Sequence, residues 1–143
     1  MSDVRNVRLR EDGKAVILLD QTKLPGETVF IELDEEPEMV EAIAELRVRG
    51  APAIGIAAGY FYAVLANQVK ADNFSDFLQA CDAFHASLNA SRPTAVNLSW
   101  ALKRMREKAL ALKDLPLEGV KAGLYEEARA IQEEDIAMCT KIA

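Results

Sequence analysis

Sixteen consecutive residues, Ala51 to Ala66, carry no charge, and this stretch constrains the fold more than any other feature of the chain. A helix spanning a bilayer needs about 20 predominantly apolar residues, and this run also holds Gly55, Gly59, Tyr60 and Tyr62 before giving way to Asn67, Gln68 and Lys70. It therefore reads as a helix buried within a protein core, around which other amphipathic elements must pack. At 143 residues the chain matches the usual size of one domain, and with half of its residues hydrophobic it can build that core without staples. Two cysteines are too few for a disulfide scaffold, and 28% charged residues with this much apolar content exclude a disordered chain.

The rest of the pattern supplies the packing partners. Residues 4–33 read as a small antiparallel meander. Val7 and Leu9 alternate with Arg8 and Arg10 before an Asp12-Gly13 turn, AVILL follows, and after Pro25-Gly26 the residues Val29, Ile31 and Leu33 alternate with Thr28, Phe30 and Glu32. From Glu36 the hydrophobic period changes from two to 3.6. Pro37 suits the first turn of a helix with Met39, Ile43 and Leu46 on one face and Gly50 as its stop, and Pro52 opens the uncharged helix. A third helix is predicted from about Ser75, with Phe74, Phe77, Leu78, Cys81, Phe84 and Leu88 on its stripe and His85 beside it. A fourth begins near Pro93-Thr94 and aligns Ala95, Leu98, Leu102, Met105, Ala109 and Leu112, leaving Lys103, Arg104, Arg106 and Glu107 to reach solvent. The last opens at Pro116 and aligns Leu117, Val120, Leu124, Ala128, Ile131, Met138 and Ile142. The expected fold class is α+β, a meander over 1–35 followed by a bundle of about five helices over 36–143. The last stripe has no terminating signal, so a longer parent protein is expected.

Charge narrows the partners. Seventeen Lys and Arg against 23 Asp and Glu leave a net −6, the wrong sign for a domain that neutralises nucleic-acid phosphates. The N-terminal MSDVRNVRLRED has no apolar export segment, so a cytoplasmic protein is expected, with no nucleic acid and no membrane among its partners. A small ligand or a protein partner is the alternative that remains.

The chemistry-bearing segment is RVRGAPAIG, residues 47–55, which joins a helix end to a new helix start across a glycine. The first N–H groups of a helix lack intrahelical partners and sit at the positive end of its dipole, so such a junction can hold an anion, with Arg49 adding a forked contact. A plain helix–helix turn with its arginines paired to carboxylates fits the same spacing. Arg92-Pro93-Thr94 repeats the arrangement, a guanidinium ahead of a helix start with Asn97 one turn in, and two such starts could converge on one phosphorylated ligand.

Three blocks, LLDQTKLPGE (18–27), LRVRGAPAIGIAAGY (46–60) and RPTAVNLSWALKRM (92–105), resemble the N-terminal half of the methylthioribose-1-phosphate isomerase family, and the resemblance runs over essentially the whole chain. It implies isomerisation of an aldose 1-phosphate to a ketose 1-phosphate in methionine salvage, without cofactor or metal, by a homodimer. It also implies that Arg49, Gly50, Ala51 and Arg92 contact the substrate. The family's catalytic Cys and Asp belong to a C-terminal Rossmann-like domain whose motifs do not occur here, so no catalytic residue is assigned and the isolated chain is expected to be inactive. Two relatives compete: ribose-1,5-bisphosphate isomerase, which shares the Arg-Gly-Ala and Arg-Pro-Thr blocks, and the non-catalytic regulatory subunits of the exchange factor that serves translation initiation.

The remaining polar and aromatic candidates read structurally. Cys81 and Cys139 suit buried inert thiols, the single His85 precludes a His-rich metal site, and Trp100 and Tyr60 suit packing. Asp135 interrupts the last apolar stripe and needs either a basic partner, exposure at the margin, or a role as a polar anchor near the pocket. The uncharged helix and the last stripe are expected to bury against a second domain or a neighbouring chain.

Overall fold

A computed structural model describes the backbone of residues 7–10, 14–19, 26, 30–44, 51–91 and 96–142, and the side chains of these except 7–9, 18–19, 51–53 and 135–142. Three short strands, β1 (Val7–Leu9), β2 (Val16–Leu19) and β3 (Phe30–Leu33), form an antiparallel sheet in the order β1-β2-β3. Leu9 pairs with Val16, and Val16 with Leu33. Alternation works as the sequence predicts: Val16 and Leu33 are buried on one face, while Phe30 and Glu32 are exposed on the other. The Asp12-Gly13 turn lies outside the described residues.

Five helices follow: α1 (Glu36–Ala44), α2 (Ala51–Gln68), α3 (Phe74–Ser91), α4 (Val96–Ala111) and α5 (Leu117–Ile142). Pro37 and Pro52 stand in the first turns of α1 and α2, where a missing N–H costs nothing. The start of α3 is set by a reciprocal cap, in which the Asp76 amide donates to Asn73 Oδ1 at 2.8 Å and the Asn73 amide group donates back to the Asp76 carboxylate. Pro116 precedes α5, and its carbonyl accepts from the amides of Gly119 and Val120.

Helix α2 is the hub. Every residue from Ile54 to Ala66 is buried, on all faces, because α1, α3, α4, α5 and the inner face of the sheet pack round it. This corrects one expectation: the uncharged helix is covered by this chain's own bundle rather than by a second domain or a neighbouring chain. The amphipathic helices contribute one stripe each, Met39, Ala42 and Ile43 from α1, Phe77, Cys81, Phe84 and Leu88 from α3, Leu98, Ala101, Leu102, Met105 and Ala109 from α4, and Val120, Leu124, Ala128 and Ile131 from α5. The continuation of the α5 stripe through Met138 and Ile142 lies outside the described side chains. No described helix is long and apolar enough to cross a membrane.

Polar contacts fix how the helices run. Lys121 near the start of α5 donates to the carbonyl of Val69 at 2.8 Å, just beyond the end of α2. Farther along, Ala128 and Ile131 pack on Gly59, and the Tyr60 hydroxyl donates to Gln132 Oε1 at 2.6 Å. Helices α2 and α5 are therefore antiparallel. The same holds for α4 and α5, since Leu112 and Lys108 meet Gly123 while Arg104 reaches Glu127 and Glu134. Two helices antiparallel to a third run in the same direction, so α2 and α4 begin at the same end of the bundle.

Helices α2 and α5 pack closely at Gly59. A Cβ there would stand 3.1 Å from Ile131 Cδ1 and 3.5 Å from Ala128 Cα, so the missing side chain lets the two helices approach. Gly59→Val is expected to overpack this contact and cost about 1–3 kcal/mol, read as a lower urea midpoint with an unchanged slope.

Candidate functional site

The site of interest is the end of the bundle where α2 and α4 start. A Cβ placed on Gly55, one turn into α2, would lie 3.6 Å from the Asn97 carbonyl oxygen and 3.8 Å from Asn97 Cβ, in the first turn of α4. The two helix starts are thus side by side, with backbone close to backbone. Each presents amides without intrahelical acceptors, and each carries roughly half a positive elementary charge at that end. Parallel helices with adjacent starts superpose those fields, so an anion at this end interacts with both. The α4 start is further tied to the end of α3, where the Ser99 hydroxyl donates to Asn89 Oδ1 at 2.6 Å.

Of the residues expected to touch a ligand, Ala51 is the first residue of α2, with its backbone described and its side chain not. Arg49 and Gly50, immediately before it, and Arg92, which directly follows the last residue of α3, lie outside the described residues. The structure thus brings together the two helix starts that these residues precede in the chain. Asp135 and Cys139 are on α5, outside the described side chains. Among the described residues, no three His, Cys, Asp or Glu side chains assemble as a metal site.

The sequence leaves Arg104 and Arg106 able to reach solvent; Arg106 does so, with its side chain 38% exposed, Arg104 is largely covered, and both make ion pairs between helices. Arg106 Nε donates to Asp82 Oδ1 at 2.8 Å, linking α4 to α3. Arg104, whose side chain is only 21% exposed, donates through Nε to Glu127 and through Nη1 (2.9 Å) and Nη2 to the two oxygens of Glu134, linking α4 to α5. The Glu134 carboxylate strengthens the hold of Arg104 on its proton, and the guanidinium holds the Glu134 carboxyl below the usual carboxylate range, in both cases chiefly through their hydrogen bond. The guanidinium carbon also lies 5.4 Å from the ring centre of Trp100, which is half exposed rather than packed in the core. The signal for this cluster is the spacing of Glu127 and Glu134, seven residues apart on one helix face opposite an arginine.

A second group of titratable residues is structural. Cys81 is buried and its thiol is pushed up to about 12 by burial, so it is inert at neutral pH, as the sequence suggested. Tyr62 is fully buried, edge-on to Phe84 at 4.9 Å and to His85 at 6.2 Å, and its hydroxyl has no hydrogen-bond partner beyond the weak one that the neighbouring Cys81 thiol offers. Burial pushes its titration strongly upward. His85 sits at the edge of the core, where burial lowers its pKa against the smaller opposing pull of Asp82.

Matches to known proteins extend over most of the chain. Residues 47–143 match the model of the initiation factor 2 subunit family. The chain belongs to this family. It is 43% identical over 142 residues to a 5-deoxyribose 1-phosphate isomerase of Clostridium botulinum (strain Loch Maree / Type A3), covering 99% of this chain and 41% of that one. It is 44% identical over 138 residues to a methylthioribose-1-phosphate isomerase of Trichlorobacter lovleyi, covering 96% and 39%. Among solved structures, the 5-methylthioribose 1-phosphate isomerase of Pyrococcus horikoshii OT3 superposes with a TM-score of 0.84 at 36% identity, over 90% of this chain and 36% of that one. Subunit delta of the translation initiation factor eIF-2B from A. fulgidus superposes with a TM-score of 0.82 at 33% identity, over 92% and 37%. The chain spans about two-fifths of the length of these relatives.

Two expectations follow for the core-edge group. Because the folded state lowers the pKa of His85, its contribution to stability is complete above the unfolded value near 6.5 and is lost as pH falls through the folded value. The melting temperature should therefore drop between pH 7.5 and 5, and His85→Gln should flatten that part of the profile. Tyr62→Phe removes a buried hydroxyl that lacks a good partner, and chemical denaturation should show stability unchanged or raised by up to about 1 kcal/mol.

Proposed function

We propose that this chain is the phosphate-holding part of a sugar-1-phosphate aldose–ketose isomerase, acting on 5-methylthioribose 1-phosphate or the related 5-deoxyribose 1-phosphate. The observation that carries the reading is the adjacency of the α2 and α4 starts at Gly55 and Asn97. The sequence places Arg49, Gly50 and Ala51 at the first start and Arg92 ahead of the second. The names of the two isomerase relatives, at 43% and 44% identity, supply the substrate class.

On this reading the phosphate ester sits over both helix ends. Backbone amides meet its oxygens, and the Arg49 and Arg92 guanidinium groups close on it from two sides. The phosphate on the anomeric carbon prevents the ring opening that a free aldose undergoes, so the reaction needs an acid to open the ring and a base to move a proton from C2 to C1. Those groups are assigned to the part of the relatives that this chain does not span. The whole protein is a homodimer working in the cytoplasm in methionine salvage, without cofactor or metal, and the isolated 143 residues bind without turning over.

Calorimetric titration with 5-methylthioribose 1-phosphate tests this directly. Arg49→Ala and Arg92→Ala are each expected to weaken binding about tenfold to a hundredfold, the worth of a charge-assisted contact to a phosphate. Binding indifferent to both substitutions overturns the reading, and tighter binding of ribose 1,5-bisphosphate reassigns the substrate. The match to an exchange-factor subunit, with a TM-score of 0.82, favours a second reading as a protein-interaction subunit. A chain that binds neither sugar phosphate is the outcome that supports it.

A further inference from the structure

We infer that α5 acts as a splint between the two helix starts, and that Arg104 and Glu134 are positioning residues that set how α2 and α4 stand relative to each other at the site. The inference rests on the proposed phosphate site for its functional meaning, and on the geometry of the locks for everything else.

Helix α2 carries no charged residue, and it meets α4 at Gly55 and α5 at Gly59 through close, largely apolar packing. Apolar contact of this kind is strong but has no preferred direction, so by itself it resists sliding and rotation of a smooth helix poorly. Directional restraints are supplied from α5. The Tyr60 hydroxyl, five residues beyond Gly55 on α2, donates to Gln132 at 2.6 Å. Two residues farther along α5, Glu134 takes both Nη groups of Arg104 from α4. Glu127 and Glu134 share one face of α5, about two turns apart, whereas Gln132 lies on another, so α5 is gripped on two faces at one level. That level is near the middle of α2 and α4, about two turns in from the end where both begin.

The chemistry of the lock requires arginine. One planar guanidinium donates Nε to Glu127 and its paired Nη groups to Glu134, while Trp100 lies against it. A lysine ammonium carries the same charge but cannot span two carboxylates with three fixed N–H directions. The lock therefore fixes an angle as well as a distance between α4 and α5.

The test uses Arg104→Lys, Glu134→Gln and Gln132→Leu in the full 143-residue chain, with two readouts. In hydrogen-exchange mass spectrometry, each variant is expected to exchange faster in peptides covering 51–58 and 96–103 than the parent, with α1 and the middle of α3 unchanged. In titration with 5-methylthioribose 1-phosphate, Arg104→Lys is expected to lose affinity about threefold to tenfold although charge is conserved. Exchange that rises uniformly, or not at all, overturns the splint whatever the ligand does. Localised exchange with unaltered affinity overturns the positioning role. Localised exchange in a parent chain that binds no sugar phosphate upholds the splint and refutes the proposed function, so the two failures are told apart.

Discussion

Burying one uncharged helix on every side is the constraint from which the remaining architecture follows. Eighteen residues of α2 cannot face water along any edge of their central thirteen, so α1, α3, α4, α5 and the sheet must each present an apolar stripe to it. The glycines in α2 then decide how near the neighbours come. At Gly55 the neighbour is the first turn of α4, and at Gly59 it is the middle of α5. The same small residues that let the core close also bring two helix starts side by side, so their adjacency is a by-product of how the core is packed.

Strand alternation, the switch of period at Glu36 and the proline starts made the order of elements legible, because each follows from local backbone chemistry. The apolar stripes of α3, α4 and α5 were legible as far as Ile131 for the same reason. Partner choice was not. That α2 is covered by its own chain depends on four other helices and the sheet having enough apolar face between them, which no local window reveals. Arg104 and Arg106 read as residues at a stripe's edge able to reach solvent, which Arg106 does; their partners were not legible, because only the antiparallel pairing of α4 with α3 and α5 brings Asp82 to Arg106 and Glu127 and Glu134 to Arg104. Trp100 was read as a packing residue, and the structure leaves it half exposed with the Arg104 guanidinium beside its ring. At the site itself, sequence marked the two junctions and their arginines, while the adjacency of the helix starts became visible only in three dimensions.

The distribution of polar interactions follows a division of labour. In the core, Tyr62 and Cys81 are left as poorly satisfied or inert groups, and burial there is tolerated because neither needs to ionise. Around the rim, arginines join helices in pairs, α4 to α3 through Asp82 and α4 to α5 through two glutamates. Helix α4 therefore receives both sets of links. These links add direction to the apolar stripe, Leu98 to Ala109, that α4 packs against α2.

The chain has a single tryptophan, and it lies half exposed against the Arg104 guanidinium. Indole emission responds in wavelength and intensity to a nearby cation and to water, so this one ring is an optical gauge of the α4–α5 junction that needs no added dye. Fluorescence from the unlabelled protein, followed in a stopped-flow mixer, would time the arrival of a ligand or of a docking protein at that corner of the bundle.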